Sequence, residues 1–119
     1  MSVKFSNNAS TTLNGAISNS ATSIVVDDIS EFPTLDSGDY TYLTLADVAG
    51  TKIEIIKVTA INAGTKTLTA VRAQDSTSAL PFDSGDLCEL RMTAALLNDA
   101  ASQNDDVLGS AVSMSIALG

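Results

Sequence analysis

The side chains in this sequence that could do chemistry are mostly carboxylates, clustered at Asp27-Asp28, Asp36-Ser37-Gly38-Asp39, Asp83-Ser84-Gly85-Asp86 and Asn104-Asp105-Asp106. Such clusters could offer oxygen ligands to calcium, a hard cation that takes several carboxylates. None of them has the spacing of the helix-loop-helix calcium loop with its terminal Glu. Asp-Ser-Gly-Asp is also a complete turn by itself, because Asp and Ser bond nearby backbone and Gly reverses the chain. The same two loops lack the cation and the glycine spacing of a phosphate cradle. Two of the fourteen acids could in principle form the pair of a glycosidase, yet three Phe, two Tyr and no Trp offer little surface on which a sugar could stack. Histidine is absent, which removes the commonest general base, the Ser-His-Asp and Cys-His nucleophile arrangements, and most zinc sites. The expectation is a protein that is not an enzyme, with no catalytic residue, no cofactor and no metal.

The remaining reactive groups read as structural. Cys88 is the only cysteine, so it has no internal disulfide partner, and it lies in the alternating run Leu87-Cys88-Glu89-Leu90 where a small apolar side chain packs. Arg72 and Arg91 fall on or at the ends of strands, where pairing with carboxylates such as Glu89 or Asp75 is the default. The 119 residues make one domain. Their formal charge of -8 opposes binding to nucleic acid or to an anionic membrane surface. The first twenty residues lack the apolar stretch of a signal peptide, and no segment approaches the length of a membrane span, so synthesis in a cytoplasm is expected.

The elements that would position these groups are strands. Ser23–Val26, Tyr40–Leu45, Lys52–Ile61, Thr67–Arg72 and Leu87–Met92 are β-branched or alternating and are separated by Gly, Pro, Asn, Asp and Ser. The predicted fold class is all-β, a small antiparallel β-sandwich or barrel with one short C-terminal helix. Asn62-Ala63-Gly64-Thr65, with Gly64 available for positive φ, predicts a hairpin between the third and fourth strands, and Ala46–Thr51 predicts one between the second and third. In the third strand Ile53 and Ile55 give way to Ile56, Val58 and Ala60 on the other parity, which predicts a bulge near Ile55-Ile56 or burial on both faces. The order strand, apolar-Pro, Asp-Ser-Gly-Asp, strand occurs twice, through Phe32-Pro33 and through Leu80-Pro81, and suggests a duplicated strand-loop-strand unit.

With aromatic residues at 4%, the core must be built from small and branched aliphatic side chains. Burial returns about 25 cal/mol per Å² of apolar surface, against roughly 1 to 2 kcal/mol per residue for ordering, so a partner surface would add to a thin core. After Met92 the pattern changes. Thr93 can cap a helix over 93–103 and the alanines and leucines that follow favour it, while Asn104-Asp105-Asp106 is expected to break it. The chain therefore divides into a β-rich module over 1–103 and a C-terminal apolar strand or assembly arm over 104–119. In that tail Val112, Met114 and Ile116 alternate with serines, and Val107, Leu108, Val112, Met114, Ile116 and Leu118 are the expected interface residues. The tail would either complete this domain's own sheet or add to a neighbour's edge. The polar segment Ser6–Thr12 reads as a loop or an ordered contact surface.

The run Thr69-Ala70-Val71-Arg72-Ala73-Gln74-Asp75-Ser76 through Leu80-Pro81-Phe82-Asp83-Ser84-Gly85-Asp86, continuing into Glu89-Leu90-Arg91-Met92-Thr93-Ala94, resembles a module of tailed-bacteriophage virion proteins. In those proteins it typically stands at the N-terminal end of tail-fibre or other tail-associated chains. Val3-Lys4-Phe5, Ala21–Val26, Phe32-Pro33, Gly38-Asp39-Tyr40 and Glu54–Ala60 resemble it too, so the likeness runs from Val3 to about Asn98. It departs at Ala73 and Ser76, where the module's Arg-Gly-Gln-Asp/Glu-Gly pattern has glycines, and in ending at Gly119 without a long fibre. The resemblance implies a structural virion protein, a tail component acting as adaptor or fibre-attachment module. Its expected partners are other virion proteins, tail, fibre or capsid subunits, and further copies of itself in a homo-oligomer. A capsid cement or decoration protein is the alternative, and a carbohydrate-binding module a more distant one.

Overall fold

The computed structural model describes residues 3–6 and 9–108, with 103–108 as helix backbone only. Six strands, β1 (Ser10–Thr12), β2 (Ser23–Val25), β3 (Thr41–Ala46), β4 (Ile53–Asn62), β5 (Thr67–Gln74) and β6 (Leu87–Glu89), precede one helix, α1 (Ala94–Leu108). All six strands belong to a single antiparallel sheet in the order β1-β6-β3-β4-β5-β2. The sheet curls like part of a barrel, not a two-layer sandwich. Its outer strands meet at one corner, where Leu13 bridges Val26, Asn14 N donates to Val25 O (2.9 Å) and Asp27 N donates to Thr12 O (2.9 Å). The polar segment before Leu13 thus contributes β1, a strand that its lack of apolar alternation concealed.

The curl encloses a core of small and branched side chains. Ile24, Val26, Leu43, Leu45, Ile56, Val58, Leu68 and Ala70 point inward from the strands, with Leu13, Phe82 and Cys88 among them. Cys88 is fully buried, and burial raises its thiol to about 12, so it serves as a packing residue and not as a nucleophile.

The repeated sequence pattern corresponds to a repeated structure. β2 pairs with β5 and β3 pairs with β6, and exchanging β1-β2-β3 for β4-β5-β6 maps the circuit of neighbours onto itself once the Leu13–Val26 corner is included. The register agrees: Ser10↔Glu89 and Thr11↔Cys88 on one side answer Lys57↔Tyr42 and Val58↔Thr41 on the other. Both Asp-Ser-Gly-Asp turns close in the same way. Asp39 N donates to Asp36 O and Asp36 N to the Asp39 carboxylate, and the equivalent bonds join Asp86 and Asp83. Gly38 and Gly85 supply the positive φ in each, at 87° and 90°.

Both predicted hairpins form, with two adjustments. In the β4–β5 hairpin the left-handed residue is Lys66 (φ 54°), not Gly64. The parity change in β4 has two causes. The β4–β5 register shifts between Ile55 and Lys57 and again between Val58 and Ala60, while Ile55, on the outer face, packs beneath α1. The first shift places an extra residue on β5 at Ala73, whose φ of 57° is the geometry a bulge of this kind asks of glycine. Ser76, two residues past the strand, is left-handed as well (φ 65°). These are the two positions at which the resembling module has glycine.

An L-residue held in the left-handed region costs about 1 to 2 kcal/mol, offset in part by the greater unfolded-state freedom of glycine. Both side chains are exposed and lose no packing on truncation. Ala73→Gly and Ser76→Gly should therefore each stabilise the fold by roughly 0.5 to 1 kcal/mol in urea denaturation; a loss of stability in both would show that the two turns are not held left-handed in solution.

Candidate functional site

The densest cluster of ionisable and polar groups lies inside the curl, where β4 and β5 bring Glu54 and Arg72 together. Glu54 alternates inward with Ile56 and Val58, and its side chain is 0% exposed against 7% for Arg72. Arg72 Nε donates to Glu54 Oε2 (2.7 Å) and Nη2 to Oε1 (2.7 Å), a two-pronged ion pair. The other guanidinium hydrogens reach backbone carbonyls, Nη1 those of Ser18 (2.7 Å) and Ala21 (2.9 Å) and Nη2 that of Leu80 (2.6 Å). Glu54 also accepts from Ala73 N (3.0 Å) and Leu80 N (2.9 Å). All five N–H groups of the guanidinium and both carboxylate oxygens are engaged, so the cluster has no free lone pair or proton to offer a substrate. Burial opposes ionisation of Glu54, but the bonds from Arg72, Leu80 and Ala73 outweigh it and hold the carboxyl below its ordinary value. The sequence pointed Arg72 toward Asp75; the bulge at Ala73 turns it inward to Glu54 instead. Arg91 does pair with Glu89, at 2.6 Å.

A second polar cluster docks α1 on the outer face of the sheet. Tyr40 Oη (2.7 Å) and Tyr42 Oη (3.1 Å) both donate to Asp99 Oδ2, and their rings meet edge to face at 5.8 Å. Burial, then the bond to the Asp99 carboxylate, pushes both phenols above their ordinary range. Beneath the helix Leu96 and Ala100 pack with Val3 and Tyr42. Thr93 caps it as expected, its Oγ1 accepting from Leu96 N (3.1 Å), and the Asp75 carboxylate accepts from Ala95 N (3.2 Å) at the positive end of the helix. α1 does not stop at Gln103 but runs through Asn104-Asp105-Asp106 to Leu108. Asn and Asp carry only a modest helix penalty, and neither Gly nor Pro intervenes. Val107 and Leu108 therefore lie in its last turn and not in an extended arm, while Val112, Met114, Ile116 and Leu118 lie outside the described residues.

The acidic turns are occupied by their own backbone, and among the described residues no three His, Cys, Asp or Glu side chains converge as a metal site would require. Nor is any described helix long and apolar enough to cross a membrane. Shallow hollows occur beside Phe32, Pro33 and Ile61 and beside Asp39, Tyr40 and Lys57. Neither holds a buried polar group aimed into it. The surfaces left for function are contact surfaces: the docked helix and the outward faces of the strands.

Two measurements check these clusters. Glu54→Gln keeps the size but removes the charge and one acceptor, leaving Arg72 buried without its counter-ion, which should cost about 3 to 5 kcal/mol. Because the folded pKa of Glu54 is depressed, the wild-type contribution is fully present above the unfolded carboxyl value and is lost as pH falls through the folded one. The acid limb of the wild-type stability profile should accordingly flatten in E54Q. Asp99→Ala strips both tyrosines of their acceptor and should raise amide exchange across α1 while leaving β3–β5 protected; unchanged exchange in α1 would mean that Leu96 and Ala100 dock it alone. No protein-family model matches the chain, and no curated protein matches it in sequence.

Proposed function

We propose that this chain is a structural virion protein of a tailed bacteriophage, a tail component that works as an adaptor or fibre-attachment module through protein contacts and not through chemistry. The observation that carries this reading is the turn from Arg72 to Ser76. The residues resembling the phage module include this turn, and the two places where the module's pattern has glycine are both left-handed here. A turn of that shape is what the pattern's glycines would serve. The span of the resemblance, Val3 to about Asn98, also coincides with the curled sheet and the docked first turns of α1. A chain that leaves the sheet along a helix fastened by Asp99 is mechanically suited to hand the domain on to an attached segment.

The use of the ionisable groups supports the same reading. Glu54 and Arg72 are spent on each other and on backbone, and Cys88 is sealed in the core. The aromatic residues do not make a sugar platform: Phe32, Phe82 and Tyr42 are buried, and both tyrosines are committed to Asp99.

Immunogold electron microscopy with antibody raised against the purified chain, applied to particles of the phage that encodes it, tests the assignment. Gold on the tail or at the fibre base is the expected result. Gold over the capsid would replace the tail component with a cement protein, and unlabelled particles with the antigen left in the lysate supernatant would overturn the virion reading altogether.

A further inference from the structure

The outward side of β2, β5 and β4 is unlike the rest of the molecular surface. In a chain of formal charge -8 with fourteen carboxylates, these three strands carry one, Glu54, and it points inward to Arg72. The register gives the make-up of the face. Thr69 sits between Ser23 on β2 and Ala60 on β4, and Thr67 between Val25 and Asn62. Next along β5, Val71 stands beside Lys57, the single charge, whose ammonium lies over the Tyr40 ring at 4.4 Å. Val25, Ile53 and Val71 are 40%, 49% and 48% exposed. The outer face of β3, by contrast, is covered by α1 through Tyr42, Leu96 and Ala100.

We infer that this face is a docking surface for a second copy of the same chain, the two copies meeting sheet to sheet across a two-fold axis. Charge decides the occupant. Two molecules that are each strongly acidic repel through almost any pairing of their loops, where Asp27, Asp36, Asp39, Asp47 and Asp83 reside. Across this face the carboxylates stay at the rim and the centre is free of them. Small and β-branched side chains allow the close face-to-face approach of packed sheets, about 10 Å. An isologous contact also uses the same patch on both partners, so one neutral face suffices.

Three strands spaced about 4.8 Å apart and averaging some seven residues present a flat footprint of roughly 300 to 400 Å² per copy. That falls below the ~800 Å² per partner of a standard stable complex. The pairing is therefore concentration-dependent in free solution, and copies held side by side in a particle would supply the concentration. The inference extends the proposed function by naming the self-contact, but its test is independent of where in a particle the protein resides.

Sedimentation equilibrium of the full chain, in a dilution series from micromolar to millimolar, tests it with two variants. Wild type should pass from monomer to dimer across the series. Thr69→Arg, at the exposed centre of the face, should stay monomeric at the highest concentration with an unchanged thermal transition. Val48→Arg, at the 77%-exposed β3–β4 turn away from the face, should dimerise like wild type. A wild type that is monomeric at millimolar concentration, or a dimer that T69R leaves intact, would overturn the inference while leaving the immunogold assignment standing.

Discussion

The buried pair Glu54–Arg72 is the constraint on which the rest of this structure depends. A small curled sheet with few aromatic residues has an end to close, and here it is closed by charge. Neither member would be tolerated alone in an apolar interior, since an unpaired buried ion costs several kcal/mol. Each is tolerated because the other, and the backbone around both, satisfies every polar atom. The bonds reach well beyond β4 and β5: through Ser18 and Ala21 they hold the long β1–β2 connection, and through Leu80 the loop that leads to β6. One ion pair thus fixes the connections in both halves of the pseudo-symmetric sheet.

The left-handed turn at Ala73 is a consequence of that pair. For Arg72 to face inward and Ala73 N to reach Glu54, β5 must bulge, and the bulge demands positive φ at a residue that has a Cβ. The local conformational cost is small beside the desolvation that the network relieves, which is how alanine survives where glycine would fit better. The same bulge carries the chain on to Asp75, whose carboxylate then meets the first turn of α1. Barrel end, turn and helix cap are in this way one connected arrangement, and α1 is its outward extension, fastened by Asp99 to the two tyrosines at the start of β3.

What these features imply for function is a division of surfaces. Carboxylates crowd the loops and keep the molecule soluble and mutually repelling. One sheet face is covered by the helix, and one is neutral and bare. A protein built to join others needs that contrast more than it needs a cleft, because specificity between acidic neighbours comes from where charge is missing as much as from where it is placed.

The sequence by itself determined the elements. The strands from Ser23 to Glu89, both hairpins, the capped helix at Thr93, the core role of Cys88 and the duplicated Asp-Ser-Gly-Asp unit are all local in origin: side-chain period, turn chemistry and capping act over a few residues and are written in consecutive letters. β1 escaped because Ser10-Thr11-Thr12 has no apolar alternation; its place is set by the edge of β6 that it pairs with. The end of α1 escaped because Asn and Asp merely weaken a helix. Tertiary structure alone decided the rest: that the single sheet curls until Leu13 meets Val26, that Arg72 chooses Glu54 over the nearer Asp75, and that Asp99 is shared by Tyr40 and Tyr42. Each of these joins residues far apart in the chain, and the choice among many possible carboxylates is made by strand register and a bulge, which no local pattern encodes.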